Sequence, residues 1–184
     1  SKNLGCYGDG GAVVTNSPNL IETMGVLADY GQLETRNHHM IGFNSRLDTL
    51  QAAVLNAKLP HLPSWNKSRR AAAALYSERL QNLPVKIPLE ANNIQSVFHL
   101  YVIEIDNRDA CLKFLRENGV MAQIHYPVPI HLQPCYSELE YNLGDLPVAE
   151  AAAGSILSLP MFPEITEGQI DKVVDTLSTF ILQN

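Results

Sequence analysis

Two prolines, Pro60 and Pro63, interrupt the helical pattern of this chain and most constrain how it can fold. Proline lacks the amide hydrogen that a helix interior needs and fixes its own φ angle, so a helix that reaches these positions must end there. A pair of such stops between two helical patterns is typical of a domain boundary. The sequence therefore predicts a first domain over residues 1–62 and a second over residues 63–184.

The first domain is predicted to contain a strand, a helix, a long loop and a second helix. Residues 12–15 form an apolar run typical of a strand, and Ser17 can cap a helix over residues 18–27. Residues 29–43 are polar and aperiodic, which predicts a loop of a length that is more often functional than not. Ser45 is expected to cap the second helix.

The second domain shows both helical and strand patterns, with turn residues between them. The predicted elements are a helix over residues 64–83, a strand over 98–105, a helix capped by Asn107 and ended by Gly119, a strand over 120–125, a helix over 147–156, and a last helix opened by a capping box at Thr166 and Gln169. The middle elements are expected to form a β-α-β unit. The whole chain is therefore assigned to the α/β class.

Composition excludes several classes of function. With 184 residues and 46% hydrophobic side chains, the chain can bury a core. The formal net charge of −6 and a pI near 5.4 argue against a nucleic-acid surface, since the basic run at residues 67–70 is short. No segment has the length and apolarity of a membrane span. We therefore expect neither nucleic acid nor a membrane as a partner.

The three cysteines, Cys6, Cys111 and Cys135, have unrelated spacings. An odd number of cysteines fits a reducing compartment better than a disulfide framework, and no zinc-binding pattern is present. The first residues also lack the basic and apolar order of a secretion signal. These observations predict a cytoplasmic protein without a metal site.

Lys2 lies just before a glycine-dense turn, Gly8-Asp9-Gly10-Gly11. A lysine amine condenses with an aldehyde cofactor only when it is unprotonated and held on a rigid backbone. Glycines allow the left-handed turns and close approaches that such a backbone needs. The residues alone leave two interpretations open: a Schiff-base lysine, or a solvated surface charge before an ordinary turn.

Asn44 and Arg46 flank the start of the second helix, where free backbone N–H groups favour anions. The alternative is an ordinary helix start with one structural ion pair. His38 and His39 are adjacent in the long loop, but neighbouring side chains point in different directions and no third ligand is evident. The residues alone leave both interpretations of Asn44 and Arg46 open, and no metal site is expected at the histidine pair.

His125 and Tyr126 end a predicted strand and lead into Pro127 and Pro129. The prolines restrict the loop and could direct both side chains toward a substrate. The alternative is a buried tyrosine with a satisfied hydroxyl beside a strand-end histidine. The residues alone do not decide between these.

Four stretches of the chain resemble the DegT/StrS-type sugar aminotransferases, in the family's order and spacing. This family has the aspartate-aminotransferase (type I) fold of pyridoxal-phosphate enzymes. The similarity extends from Ser1 to about residue 180, and the stretches that carry it are residues 1–11, 42–53, 125–133 and 157–161. The resemblance implies the tail of a large cofactor-binding domain followed by a small α+β domain.

The resemblance also implies roles for individual residues. Lys2 would be both covalent catalyst and general acid/base, and lysine rather than the histidine of a dehydrating sister branch favours transamination. Asn44 and Arg46 would bind the cofactor, with Asn44 reaching the phosphate in the other subunit of a homodimer. The substrate-binding residues would be His38, His125 and Tyr126.

The implied reaction transfers an amino group, with glutamate as the expected donor, to a keto group of a nucleotide-linked deoxysugar. In this family the lysine lies near the middle of the polypeptide, so we expect the chain to be a C-terminal half that is inactive by itself. Two alternatives are kept: a sensory or regulatory protein that retains the fold without catalysis, and a dimerising or binding module.

Overall fold

The structure, a computed structural model, describes residues 2–183. It consists of two compact units, Ser1–Leu62 and Pro63–Asn184, and the division falls at the second of the two prolines. Each unit has its own secondary structure and is described separately.

The first unit contains two helices and one small antiparallel pair of strands. Ser17 caps the first helix, since its Oγ accepts a hydrogen bond from the Leu20 N–H at 3.5 Å. In the strand pair, Gln32 lies opposite His38. The elements are α1 (Pro18–Ala28), β1 (Gln32–Glu34), β2 (Asn37–His38), α2 (Thr49–Lys58) and a 3₁₀ turn (Leu59–His61).

Two predictions for this unit are wrong. Residues 12–15 form no strand, because an extended segment becomes a strand only when a neighbour accepts its hydrogen bonds, and no described strand pairs with it. The second helix begins at Thr49 with Asp48 at its N-cap. Ser45 lies in the preceding loop, where its N–H donates to the Ala28 carbonyl at 2.9 Å. The expected cap residue therefore lies four positions before the helix, paired through its backbone with α1.

Gly31 and Gly42 lie where two backbone segments of the first unit touch. Gly31 has a φ of +75°, and its carbonyl accepts hydrogen bonds from the N–H groups of His39 and Met40 at 2.8 and 3.2 Å. A Cβ on Gly42 would lie 2.1 Å from the Gly31 nitrogen, closer than any real contact. Side chains larger than hydrogen therefore do not fit at this crossing.

We expect Gly42→Ala to destabilise the first unit by about 2 kcal/mol or more, because the backbone must separate to admit the methyl group. Gly25→Ala is the matched control, since a Cβ at this helical glycine meets open space. That change is expected to stabilise the unit by up to about 1 kcal/mol. Amide hydrogen exchange at His39, whose N–H bonds to Gly31, measures both effects. Unchanged exchange in Gly42→Ala would contradict the predicted clash between residues 42 and 31.

The second unit combines four helices with one antiparallel strand pair. The strands align with Tyr101 opposite Leu159 and Glu104 opposite Ile156. Between the helices lie 3₁₀ turns at Ile130–Leu132 and Pro134–Leu139. The elements are α3 (Leu62–Leu80), β3 (Tyr101–Glu104), α4 (Arg108–Glu117), α5 (Pro147–Ser155), β4 (Ile156–Leu159) and α6 (Glu167–Gln183).

The core of this unit lies between the strand pair and helices α3, α4 and α6. Tyr76 of α3 stacks on Tyr101 of β3 with ring centroids 4.9 Å apart. Both hydroxyls have hydrogen-bond partners. The Tyr76 hydroxyl donates to the Pro160 carbonyl, and the Tyr101 hydroxyl bonds to the Ser77 Oγ, each at 2.9 Å. Burial, followed by the nearby Tyr101, raises the pKa of Tyr76. The strand pair is thereby fixed to α3.

The predicted β-α-β unit is wrong. Residues 120–125 contribute only an isolated bridge, in which Gln123 exchanges two backbone hydrogen bonds with Ser158. The Ala122 N–H bonds locally to the Val120 carbonyl at 2.9 Å, so it cannot extend a ladder. The strand that pairs with β3 is instead β4, which runs antiparallel to it.

The boundary signals of two helices in the second unit are confirmed. Gly119, with a φ of +77°, follows the end of α4. At the start of α6, the Gln169 N–H donates to the Thr166 Oγ1 at 3.3 Å and the Thr166 N–H donates to the Gln169 Oε1 at 2.9 Å. This is the predicted capping box. Asn107 occupies the N-cap of α4, although its side chain makes no capping hydrogen bond.

Candidate functional site

Lys2 borders an open depression in the first unit, of about 370 Å³. The Lys2 side chain is exposed, and the walls combine glycine backbone with apolar side chains of α2 and the loop before it. A Cβ on Gly10 would lie 2.8 Å from the Cys6 sulfur, so glycine keeps this wall open. The other bordering residues are Leu4, Gly5, Gly8, Asp9, Gly11, Ala12, Leu47 and Leu55. An amine thus stands beside a space that can admit a small molecule.

The turn after Lys2 is held by helix α2. The Tyr7 N–H donates to the Gln51 Oε1 at 2.8 Å, and the Lys58 Nζ donates to the Gly5 carbonyl at 2.7 Å. The same ammonium lies 4.9 Å from the centroid of the Tyr7 ring. Sequence reasoning missed both α2 residues, which lie 44 and 53 positions from their partners.

Asn44 and Arg46 border a second depression in the first unit, of about 920 Å³. Helix α1 forms much of its wall, and residues 9–12 border both depressions. Lys2 borders only the first depression, and Asn44 and Arg46 only the second. The structure therefore brings Asn44 and Arg46 together. They lie next to the backbone of residues 9–12 but apart from the Lys2 side chain.

The Arg46 guanidinium is held by Tyr30 and Asp29. It lies 5.3 Å from the Tyr30 ring centroid, donates to the Tyr30 hydroxyl at 3.5 Å and lies 3.6 Å from the Asp29 Oδ1. The contact between Arg46 and Asp29 is the structural ion pair that the alternative interpretation predicted. The Arg46 side chain is still 59% exposed. Since exposed ion pairs are weak, the guanidinium charge remains available to an anion.

His38 borders neither depression. It lies in β2, its Nδ1 forms a 2.9 Å hydrogen bond with the Tyr30 carbonyl, and its side chain is exposed. The structure therefore places His38 near Arg46, through their shared neighbour Tyr30, rather than beside Lys2.

His125 and Tyr126 lie in the second unit with their rings edge-on, the centroids 5.4 Å apart. The His125 Nδ1 bonds to the Oγ of buried Ser158 at 2.9 Å. Tyr126 is 66% exposed and borders an apolar cavity of about 740 Å³. The alternative of a buried tyrosine is therefore wrong, whereas the histidine is fixed against β4.

Buried His131, which borders the same cavity, forms a pair with half-buried Glu150 that was not predicted. The His131 Nε2 donates to the Glu150 Oε1 at 2.9 Å, and the Glu150 carboxylate also accepts the N–H groups of Gly144 and Leu146. The His131 ring packs edge-on against Tyr141. The sequence signal for this pair was Glu150, a charged residue within the alanine-rich helix α5. This carboxylate ties the loop before α5 to the helix.

Burial opposes ionisation of Glu150, but the hydrogen bonds from His131, Gly144 and Leu146 outweigh it, and the pKa of Glu150 lies below its ordinary value. The ionised form therefore contributes stability that is complete above the ordinary glutamate pKa of about 4.3. This contribution is lost as the pH falls through the lower pKa of the folded state.

We expect the stability advantage of the native protein over Glu150→Gln to shrink as the pH falls from about 5 to about 3, because only the native residue loses its charge. Urea unfolding of both proteins across that range measures the difference. Glu138→Gln, at an exposed position of the same unit, is the control and should show no such trend. An advantage that grows on acidification would contradict the assigned direction of the pKa change.

Within residues 2–183, no helix is both long and apolar enough to cross a membrane. No group of three or more metal-binding side chains occurs there either.

Comparison with known proteins identifies the family. Residues 1–178 match the model of the DegT/DnrJ/EryC1/StrS aminotransferase family. The chain is 44% identical, over 98% of its length, to a "Pleiotropic regulatory protein" of Geobacillus stearothermophilus. It is also 44% identical, over 96% of its length, to the dTDP-3-amino-3,4,6-trideoxy-alpha-D-glucose transaminase of Streptomyces venezuelae.

A solved structure has the same fold as this chain. It is S. venezuelae DesV in complex with a ketimine intermediate, with a TM-score of 0.93, 42% identity and 97% of this chain covered. The chain spans about half the length of these relatives, between 47% and 49%. The expected α/β fold of a pyridoxal-phosphate aminotransferase is thus confirmed. Since the family match covers nearly all of the sequence, the chain belongs to the DegT/DnrJ/EryC1/StrS aminotransferase family, which is pyridoxal-phosphate dependent.

Proposed function

We propose that the protein containing this chain is a pyridoxal-phosphate-dependent aminotransferase that converts a keto group of a nucleotide-linked sugar to an amine. One observation supports this most strongly: exposed Lys2 borders a glycine-lined depression, three residues before a turn that α2 holds in place. Family membership and the similarity to the S. venezuelae transaminase supply the reaction class.

The residues around Lys2 fit the aldehyde end of the cofactor. Glycines at positions 8 and 10 leave space that a Cβ would fill, since it would meet Gln51 at 3.3 Å and Cys6 at 2.8 Å. Bound pyridoxal phosphate supplies a carbonyl and a ring that withdraws electrons from the reacting carbon. The Lys2 Nζ would hold the cofactor covalently before the donor arrives, and would then move a proton at the substrate carbon.

Asn44 and Arg46 are proposed to bind the anionic end of a cofactor held by a second copy of the protein. Support comes from their placement, because they border a different depression from Lys2 and Arg46 keeps an exposed charge. Under this proposal each subunit of a homodimer supplies the lysine to one site and the anion-binding pair to the other. Activity would then require the dimer.

The substrate-binding roles proposed for His125, Tyr126 and His38 have unequal support. Tyr126 is exposed at the rim of a cavity, and His125 is held rigidly by Ser158. For His38 the support is the family resemblance together with its position beside Tyr30.

Glutamate is the proposed donor. A cytoplasmic location is proposed because Cys6, Cys111 and Cys135 are all unpaired.

The reaction can be tested directly with the native protein that contains this sequence. Incubation with pyridoxal phosphate, glutamate and a dTDP- or UDP-linked keto sugar should yield the amino sugar and 2-oxoglutarate in equal amounts, as mass spectrometry can quantify. Replacing glutamate with alanine tests the donor, and product with alanine alone would reassign it. Absence of amino sugar with every keto sugar and donor tried would contradict an aminotransferase.

A non-catalytic regulatory role is the second candidate, because one relative is named a regulatory protein and another, 44% identical, a sensory transduction protein. This candidate predicts that the native protein forms no amino sugar while still binding the cofactor or a partner. The stand-alone binding module predicts neither product nor cofactor attachment. Amino-sugar formation in the same incubation therefore separates the aminotransferase from both non-catalytic functions.

A further inference from the structure

We infer that Lys58 and Gln51 are positioning residues for Lys2: they fix the turn over residues 5–8 to helix α2 and thereby place the Lys2 amine at its depression. This inference rests on the proposed function of Lys2. It assigns to α2 a role in the reaction that the sequence pattern of that helix does not suggest.

The two contacts come from one face of one helix. Gln51 and Lys58 are seven residues apart, close to two helical turns, so their side chains project from the same side of α2. Gln51 accepts the Tyr7 N–H at 2.8 Å, while Lys58 donates to the Gly5 carbonyl at 2.7 Å. The turn is thus held through one backbone donor and one backbone acceptor.

Lys58 makes a stronger contact than a neutral side chain could. A hydrogen bond from an ammonium to a carbonyl is charge-assisted. The same ammonium lies 4.9 Å from the Tyr7 ring centroid, at cation–π distance. These two interactions compensate for the conformational freedom that glycines at positions 5 and 8 give to the backbone.

Lys2 depends on this turn because it is only three residues from Gly5. A covalent catalyst acts only when its reacting atom lies within a few tenths of an ångström of the productive position, and small displacements cost up to about 100-fold in rate. Without the anchor, the Lys2 amine would sample positions outside the depression. The expected consequence is slower chemistry with little change in substrate affinity.

The first test measures the anchor without cofactor. In the full chain, Gln51→Leu and Lys58→Met are each expected to accelerate amide hydrogen exchange at Tyr7 about tenfold or more. Gln51→Glu keeps the accepting oxygen and Lys58→Arg keeps a charged donor, so both should preserve protection. Lys86→Met is the control, because it removes the same charge from an ion pair with Glu104 in the other unit.

The second test measures the effect on Lys2 in the native protein. Lys58→Met should slow covalent labelling of Lys2 by pyridoxal phosphate and borohydride about tenfold. It should also lower kcat by about 10- to 100-fold while KM for the donor stays within about twofold. Lys58→Arg should restore both. An increase in KM as large as the decrease in kcat would indicate a role in substrate binding and would overturn the positioning role.

The outcomes distinguish failure of the positioning role of Lys58 from failure of the proposed function of Lys2. If Lys2 of the unaltered protein is labelled but Lys58→Met changes neither the labelling rate nor kcat, the positioning role is overturned, whatever happens to exchange at Tyr7. If Lys2 of the unaltered protein is not labelled at all, the proposed function fails, and the purpose of the anchor fails with it. Slower labelling rescued by arginine supports both.

Discussion

Replacing Lys2 with alanine is expected to abolish covalent attachment of pyridoxal phosphate and to lower the amination rate of the native protein by at least about 10³-fold. Lys2 is proposed to supply both the covalent bond to the cofactor and the proton transfer at the substrate carbon, so one truncation removes two functions. The Lys2 variant should still bind the cofactor non-covalently. Visible absorbance and intact mass after borohydride reduction measure the attachment, and amino-sugar formation measures the rate.

A second lysine provides the matched control for this substitution. Lys113 is 78% exposed on α4 and forms only a long contact, 3.9 Å, with Glu117. Lys113→Ala should leave both cofactor attachment and amination unchanged. The catalytic assignment would be contradicted by a Lys2→Ala protein that keeps a tenth or more of the native rate.

Truncating Leu177 to alanine is expected to lower the free energy of unfolding of the second unit by about 3 kcal/mol. Leu177 is fully buried in α6, within the core that this helix forms with α4 and the strands. The substitution removes apolar contacts and leaves a cavity that close-packed neighbours cannot fill. Trp65, the single tryptophan, lies in α3 of this unit, so its fluorescence reports urea unfolding there.

The same helix offers a control with the identical chemical change. Leu182 is 86% exposed, and Leu182→Ala is therefore expected to alter the free energy of unfolding by no more than about 0.5 kcal/mol. Equal destabilisation by the two substitutions would show that helix propensity in α6, rather than core packing, determines the result. The difference between the two variants isolates the burial of Leu177.

Helix boundaries set by neighbouring residues were predictable from the sequence. Ser17 caps α1 and the Thr166–Gln169 pair caps α6, because each cap joins residues only three positions apart. Gly119 likewise ends α4 through its own φ angle. Interactions of this range can be inferred from spacing and side-chain chemistry alone.

Strand pairing was not predictable because it depends on distant partners. Residues 12–15 have a strand-like sequence, yet no described strand lies beside them, and residues 120–125 form only one bridge. β3 pairs with β4, which lies more than fifty residues further along the chain. Ser45 shows the same limit for caps: its backbone N–H pairs with the distant Ala28 carbonyl, and the helix begins four residues later, at Thr49.

The candidate site was predictable only in part, for the same reason. The glycines after Lys2 indicated an open, close-approach backbone, and the structure shows a depression there. Gln51 lies in a stretch that carries the family resemblance and Lys58 at the basic end of a helix, but neither position indicated a contact with the turn after Lys2. Their role appears only when the fold brings them to Tyr7 and Gly5.

The most direct measurement of the central claim is the location of the cofactor on the unaltered native protein. The protein is incubated with pyridoxal phosphate, reduced with borohydride and digested, and the pyridoxyl group is located by peptide mass spectrometry. We expect one label per chain, on Lys2. Label scattered over exposed lysines such as Lys67, Lys86 and Lys113, or no label at all, would contradict the assignment of Lys2 as the cofactor-binding lysine.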